Sequence, residues 1–243
     1  MKQHEAVIKV MEDNGGYATL GYLNQKVLQI ENCEWKTRTP FASIRRIVQD
    51  VRFFFKIRPG LWALNSSKEM LPPDIFPSST IPVVQQQEYS HSYYQGLLVE
   101  LGNFRNYQTY IPMQDKNKKY LTKKLSDVAT VAEVYDFSYS NFVKKVRTID
   151  VVWFNNRNMP ATLMEVEHST DIYNSLLKFL ELQDFNTGFY IVADNARKKE
   201  YEQKIRSPAF VSINKRIQFW DYEYVAELHA KTSALATLES NRF

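Results

Sequence analysis

The sequence predicts a mixed α/β domain, a sheet flanked by helices, preceded by a small α+β domain. Three observations carry this reading. Between residues 91 and 220, strand-like and helix-like runs follow one another as αβ, an insertion, then ββαβαβα, the order of a mixed sheet covered by helices. Residues 67–88, SKEMLPPDIFPSSTIPVVQQQE, hold four of the nine prolines and disfavour helix, which reads as an extended linker. Before it, residues 1–66 carry three helical patterns and a hairpin. The expected domains are therefore 1–66 and 89–243, joined by 67–88.

In the first domain Ala6, Val7, Val10 and Met11 recur at helical spacing, and Asn14-Gly15-Gly16 ends that helix. A second helix fits Thr19 to Ile30, with Leu20, Leu23, Val27 and Leu28 inward. Thr39-Pro40 reads as a capping Thr followed by Pro at the first helical position. The helix it starts, Pro40 to Val51, buries Phe41, Ile44, Ile47 and Val48, and presents Ser43, Arg45, Arg46 and Gln49 on its other side. Phe53–Leu64 closes the domain as two strands around Arg58-Pro59-Gly60. Three helices and a hairpin form the layout of a winged helix-turn-helix, whose third helix enters the DNA major groove.

In the second domain, helices are expected at 91–105, 169–183 and 196–205 and after Trp220. Strands are expected at 107–113, 148–154, 161–167, 187–193 and 216–220. Strand 148–154 and strand 161–167 form a hairpin through Asn155–Pro160. Residues two apart on a strand share a face, so Glu165 and Glu167 point the same way, and Asp150 on the neighbouring strand can lie beside them. Three carboxylates at one sheet edge repel unless protonated or bound to cations, and such hard oxygen ligands suit Mg²⁺ or Mn²⁺. An ion pair with Arg147 or Arg157 would account for one acid but not for three.

Composition narrows the function. With 44% hydrophobic and 24% charged residues the chain is globular rather than disordered. Seven glycines and no GxGxxG or GxxxxGK[ST] run argue against Rossmann and P-loop nucleotide binding. The single Cys33 excludes an internal disulfide framework and a Cys-rich zinc site. No apolar run of about 18 residues and no leader pattern is present, so a soluble, cytoplasmic protein is expected. The net charge of +4 lies wholly in residues 1–66, where ten Lys and Arg face six acids; the remaining 21 basic and 21 acidic groups balance. That local surplus is the electrostatic footprint of a nucleic-acid contact.

AVIKVMEDNGG, RTPFASIRRIVQD and FFFKIRPGLWAL resemble the HARE-HTH winged-helix family across residues 1–66. The resemblance implies DNA binding, with Arg38, Thr39, Ser43, Arg45, Arg46 and Gln49 as the contacts expected at the third helix. Winged helices also serve as protein-interaction modules.

An Asp, a short hairpin, then Glu-x-Glu or Glu-x-Lys is the signature of the PD-(D/E)xK nucleases. GLLVELGNFRNYQTYIP, RTIDVVWF, MEVEHSTDIYNSLLKFLEL and GFYIVADNARKKEYEQKI resemble one restriction-endonuclease-like branch of that superfamily, over residues 94–222. The resemblance implies that Asp150 and Glu165 hold a divalent metal with a backbone carbonyl, and that Glu100 on the first helix is an additional acid near it. Glu167 stands where most members have Lys; it can accept a proton or join Asp150 and Glu165 as a ligand of a second metal. Lys178 on the following helix is a weaker candidate for the missing positive charge, and His168 reads as a structural or orienting histidine.

Lys116, Lys118, Lys119, Lys123 and Lys124 crowd the insertion, where Lys118 and Lys119 can grip phosphates and an ordinary solvated loop is the plainer reading. Arg197-Lys198-Lys199 reads as surface. The resulting expectation is a Mg²⁺-dependent restriction-type endonuclease on double-stranded DNA, acting as a homodimer or a transient pair on DNA. The alternatives are a non-catalytic DNA-binding regulator with a decayed nuclease fold, or a nuclease on branched DNA or RNA.

Overall fold

The structure, a computed structural model, describes residues 1–78 and 81–240. Two compact units comprise Met1–Ile81 with Ala226–Phe243, and Pro82–Val225. Among the described residues no helix is long and apolar enough to cross a membrane.

In the first unit α1 (Gln3–Asp13) buries Ala6, Val7, Val10 and Met11. It stops at a Schellman turn, in which Gly15 N–H donates to Glu12 O and Gly16 N–H to Met11 O. Gly15 and Gly16 take φ of 84° and 89°, which L side chains rarely adopt. A strand β1 (Tyr17–Thr19) then leads into α2 (Leu20–Lys26), whose first turn is capped by Thr19 Oγ1 accepting from Tyr22 N at 3.1 Å. This helix ends earlier than its apolar spacing predicts, passing into a 3-10 turn at Val27–Gln29.

Helix α3 (Pro40–Ile47) starts at its Pro as expected, but Thr39 does not cap it: that hydroxyl lies 3.4 Å from Thr37 Oγ1 instead. Strands β2 (Phe54–Arg58) and β3 (Leu61–Leu64) form the hairpin, and the antiparallel sheet runs β1-β3-β2. Leu23, Val27, Ile44, Val48, Phe54 and Leu64 make the core.

The proline-rich stretch is packed rather than extended. Asn65–Met70 is a 3-10 helix, Leu71 and Ile75 are buried, and Phe76 meets Phe55 edge-on at 5.4 Å. The prolines prevent regular structure, but the apolar residues between them still bury themselves on the hairpin. Residues 79–80 of the expected linker lie outside the described residues.

In the second unit α4 (Val83–Phe104) begins eight residues before its expected start. Pro82 sits at its N-cap, where Pro restricts what precedes it and leaves the helix after it free to form. Strand β4 (Gln108–Tyr110) follows, then the lysine-rich insertion, which is a hairpin of β5 (Lys119–Tyr120) and β6 (Lys123–Lys124) anchored by buried Tyr120. After it come α5 (Leu125–Val128), α6 (Ser140–Val146), β7 (Val151–Phe154) and β8 (Pro160–Glu167). The unit continues through α7 (Ile172–Glu181), β9 (Gly188–Ala193), α8 (Lys198–Ile205) and β10 (Ile217–Asp221), into α9 (Tyr222–Ser240).

The sheet order is β10-β9-β8-β7-β4. Strand β9 pairs parallel with β10 and β8, while β7 pairs antiparallel with β8 and β4, so the sheet is mixed and flanked by helices as expected. Ile172, Leu176 and Phe179 of α7 bury into one core with Val152, Leu163 and Phe189. On α4, the Leu98 carbonyl accepts from Trp153 Nε1 at 3.0 Å.

Residues from Ala226 onward in α9 group with the first unit. Ala230 O accepts from Asn24 Nδ2 at 3.0 Å, and Ser233 Oγ donates to Gly21 O at 2.8 Å.

Candidate active site

The acids meet where β7 begins and β8 ends. Antiparallel pairing of Val151 with Met164, carried one step further, brings Asp150 opposite Glu165. Asp150 lies just before β7 rather than inside it, and its Oδ2 accepts from Val166 N at 2.8 Å. Glu165 and Glu167 alternate with Val166 and share the face of Leu163, the face α7 covers. Each is only 3% exposed, because β8 is central in the sheet and α7 lies over this face.

Buried carboxylates need compensation. Lys178 supplies it for Glu165, donating to Oε1 at 3.0 Å and Oε2 at 2.8 Å while also reaching Thr148 O at 3.1 Å. Glu167 accepts from Thr170 and Ser175, and Arg197 Nη1 stands 4.0 Å from it. Ser175 and Lys178 face the acids together because they lie three apart on α7.

Ser175 Oγ contacts both Glu165 Oε2, at 3.1 Å, and Glu167 Oε1. A hydroxyl has one proton to donate, so one contact is satisfied only if a carboxyl is protonated. Burial, then the charge of Asp150, hold Glu165 well above the usual carboxylate range, against the opposing pull of Lys178. Burial likewise pushes Asp150 up to about 7, opposed by the Val166 N–H and Lys178.

A second set of donors approaches Asp150 from elsewhere. His91 on α4, Asp115 in the turn Met113–Asp115 and Asp150 each offer a ligand atom, all within 4.8 Å of one another. Gln95 Nε2 donates to Asp115 Oδ2 at 2.9 Å and to the Asp150 carbonyl at 3.1 Å. Lys118 Nζ is 2.7 Å from Asp115 Oδ1. A cleft of about 370 Å³ opens here, lined by residues that include His91, Lys118, Asp150, Glu165, Glu167 and Lys178. Carboxylate oxygens crowded under burial, with an imidazole at their edge, form a donor set that fits a divalent cation.

Asp150, Glu165 and Glu167 thus come together as expected, whereas Glu100 does not join them: it accepts from Tyr120 Oη at 2.8 Å and does not line the cleft. The α4 residues that reach the cleft, Val84, Gln87, Glu88 and His91, lie two turns or more before it. His168 sets its ring 5.3 Å from that of Tyr222. Neither Arg147 nor Arg157 neutralises an acid here; Lys178 and Arg197 do, so Arg197 is not mere surface. Lys198 and Lys199 are exposed, as expected.

The expected DNA contacts fall in both units. Arg38, Thr39, Arg45, Arg46 and Gln49 are exposed in the first, and Ser43 is half-buried with its hydroxyl on Thr39 O. Arg45 lies 3.7 Å from Glu227 of α9. Lys118 faces the cleft of the second unit, while Lys119 is exposed on β5. Sequence reasoning missed Asp115, Gln95 and His91, which sit outside any motif; the signal available was an Asp within a run of lysines.

A five-stranded mixed sheet flanked by helices, with acids where β7 meets β8, is compatible with a restriction-endonuclease-like fold. The family model for the Type II restriction enzyme NmeDI C-terminal domain matches residues 70–242, and the chain belongs to that family. The Type II restriction enzyme NmeDI of Neisseria meningitidis serogroup C is 27% identical over 150 residues, covering 58% of this chain. The chain spans 42% of that relative's length. No solved structure matches.

Proposed function

We propose that this protein is a restriction-type endonuclease that hydrolyses phosphodiester bonds of double-stranded DNA with Mg²⁺, for which Mn²⁺ can substitute. The observation that carries the reading is the meeting of Asp150 with Glu165 in an open cleft, on a chain of the NmeDI C-terminal family. Asp150 and Glu165 would hold the cation, with Glu167 beside them. A divalent cation there would polarise the phosphodiester and acidify bound water. Glu167 is suited to accept a proton from the attacking water. Lys178 offers the positive charge that position 167 lacks, because it already lies against Glu165.

In the same proposal, residues 1–66 are a winged helix that contributes site recognition through α3, and Lys118 and Lys119 add contacts to phosphates. Arg46 is the stronger arginine of α3, since Arg45 also faces Glu227. One active site per chain implies that two chains pair on DNA to cut both strands. The setting is cytoplasmic.

The test is cleavage of supercoiled plasmid and of modified and unmodified genomic DNA with Mg²⁺. Wild type should cut, and Asp150→Ala should abolish cutting while DNA binding persists. Binding without metal-dependent cleavage on any DNA would replace the enzyme with a DNA-binding regulator. Cleavage confined to branched DNA or RNA would change the substrate.

A further inference from the structure

We propose that the protein has a second cation site, made by His91, Asp115 and Asp150, which takes a transition-metal dication such as Mn²⁺ in preference to Mg²⁺ or Ca²⁺. It rests on the reading of Asp150 as a metal ligand and adds two residues that this reading does not use. The ligand atoms lie within 4.8 Å of one another yet come from α4, from the turn Met113–Asp115 and from the start of β7. Three separate elements converge here, so sequence proximity does not explain the grouping.

His91 Nε2 stands 3.8 Å from Asp150 Oδ1, beyond hydrogen-bond reach and close enough for one ion to touch both. Gln95 is an independent sign of an occupant. It is fully buried, and its amide reaches into the cluster to hold Asp115 Oδ2 and the Asp150 carbonyl. Its Oε1 is buried without a hydrogen-bond partner, which a water on a hydrated cation would supply.

Lys118 puts an ammonium 2.7 Å from Asp115, and its side chain is 35% exposed, so it can withdraw into solvent when a dication enters. The imidazole sets the preference. Nitrogen ligands favour transition metals, whereas all-oxygen sets suit Mg²⁺ and Ca²⁺.

Mn²⁺ titration of the full chain without DNA, followed by the electron paramagnetic resonance signal of the free ion, tests this. Wild type should bind Mn²⁺ that an equal concentration of Mg²⁺ does not displace. His91→Ala and Asp115→Asn should each weaken that binding by at least about tenfold, the least expected from disturbing a metal ligand. Lys118→Ala should tighten it by removing the competing charge. Thermal melts of each variant separate loss of the site from loss of the fold, and His91→Gln provides a second variant of similar size.

Unchanged Mn²⁺ binding in folded His91 and Asp115 variants overturns the proposal, as does displacement by equimolar Mg²⁺ from wild type. Cleavage is not the readout. A chain that cuts no DNA but loses Mn²⁺ on His91→Ala sinks the nuclease reading and keeps this one. An active nuclease whose Mn²⁺ binding ignores both substitutions does the reverse.

Discussion

Replacing Asp150 with Asn should stabilise the metal-free protein while disabling the proposed chemistry. In the fold, burial raises the Asp150 pKa from 3.8 to about 7. Between those values the folded state holds a proton that the unfolded state has released, so stability falls as pH rises through this window. At about 1.4 kcal/mol per pH unit, the full difference is about 4 kcal/mol by pH 8. Glu165 titrates on the same cluster and takes part of it, leaving about 2–4 kcal/mol. Asn carries no charge to bury, and its Oδ1 can still accept from Val166 N, so the variant should escape the loss.

Thermal unfolding in EDTA at pH 4 and pH 8 measures this. The two proteins should melt alike at pH 4, and the variant should melt roughly 5–15 °C higher at pH 8. Mg²⁺ at pH 8 should close the gap by stabilising wild type alone. If Asp150→Asn melts no higher than wild type at pH 8, or leads by the same margin at both pH values, the account of a buried, uncompensated carboxylate is wrong.

Lys178→Met removes the partner of Glu165 and should destabilise the metal-free fold by about 1–3 kcal/mol, below the value for a fully buried pair because Lys178 is 28% exposed. Urea denaturation at pH 8 should show that loss, and Glu165→Gln added to it should recover most of it; an unchanged midpoint in the single variant would remove the pair from the argument. On DNA, Arg46→Ala should weaken affinity and lower the salt slope by about 1, and Arg45→Ala should do less because Arg45 shares Glu227. Fluorescence anisotropy at two salt concentrations decides this, and a larger effect at Arg45 contradicts the ranking. A Cβ on Gly96 would lie 2.0 Å from Tyr120 Cδ2, so Gly96→Ala should lower stability by about 1–3 kcal/mol in a thermal melt, and a neutral result would mean the hairpin shifts freely.

The order of elements was legible because strand and helix periods are written locally in β7, β8, α7 and β9. The pairing of Asp150 with Glu165 followed from a short hairpin, which sets register within a few residues. What was illegible depends on distant packing. The end of α9 shows small and polar residues, Ala230, Ser233 and Thr237, where it packs in the first unit, so no broad apolar stripe announces its place. Glu100 was assigned by analogy of helix position. The cleft is instead met by the first half of α4, at Val84, Gln87, Glu88 and His91, and where along its length a helix passes the sheet end is set by tertiary packing that its own sequence does not show. Lys178 could be named from the sequence as a candidate charge, but its pairing with Glu165, and the approach of Arg197 to Glu167, depend on how α7 and the turn before α8 lie against β8, which no local pattern encodes.

Those counter-charges also explain how Glu can occupy position 167. Four carboxylates gather here, Asp115, Asp150, Glu165 and Glu167, and three of them have a basic side chain each. Lys118 is against Asp115, Lys178 against Glu165 and Arg197 near Glu167. The positive charge missing from β8 is thus supplied from β5's leading turn, from α7 and from the turn before α8. Among the described residues Asp150 is the member of the four with no Lys or Arg ion pair; it has the Val166 N–H and His91 at 3.8 Å. Burial raises it to about 7, and Glu165 is raised with it. A dication entering the cleft therefore meets no Lys or Arg to displace at Asp150, whereas at the other three carboxylates it competes with a basic side chain already in place.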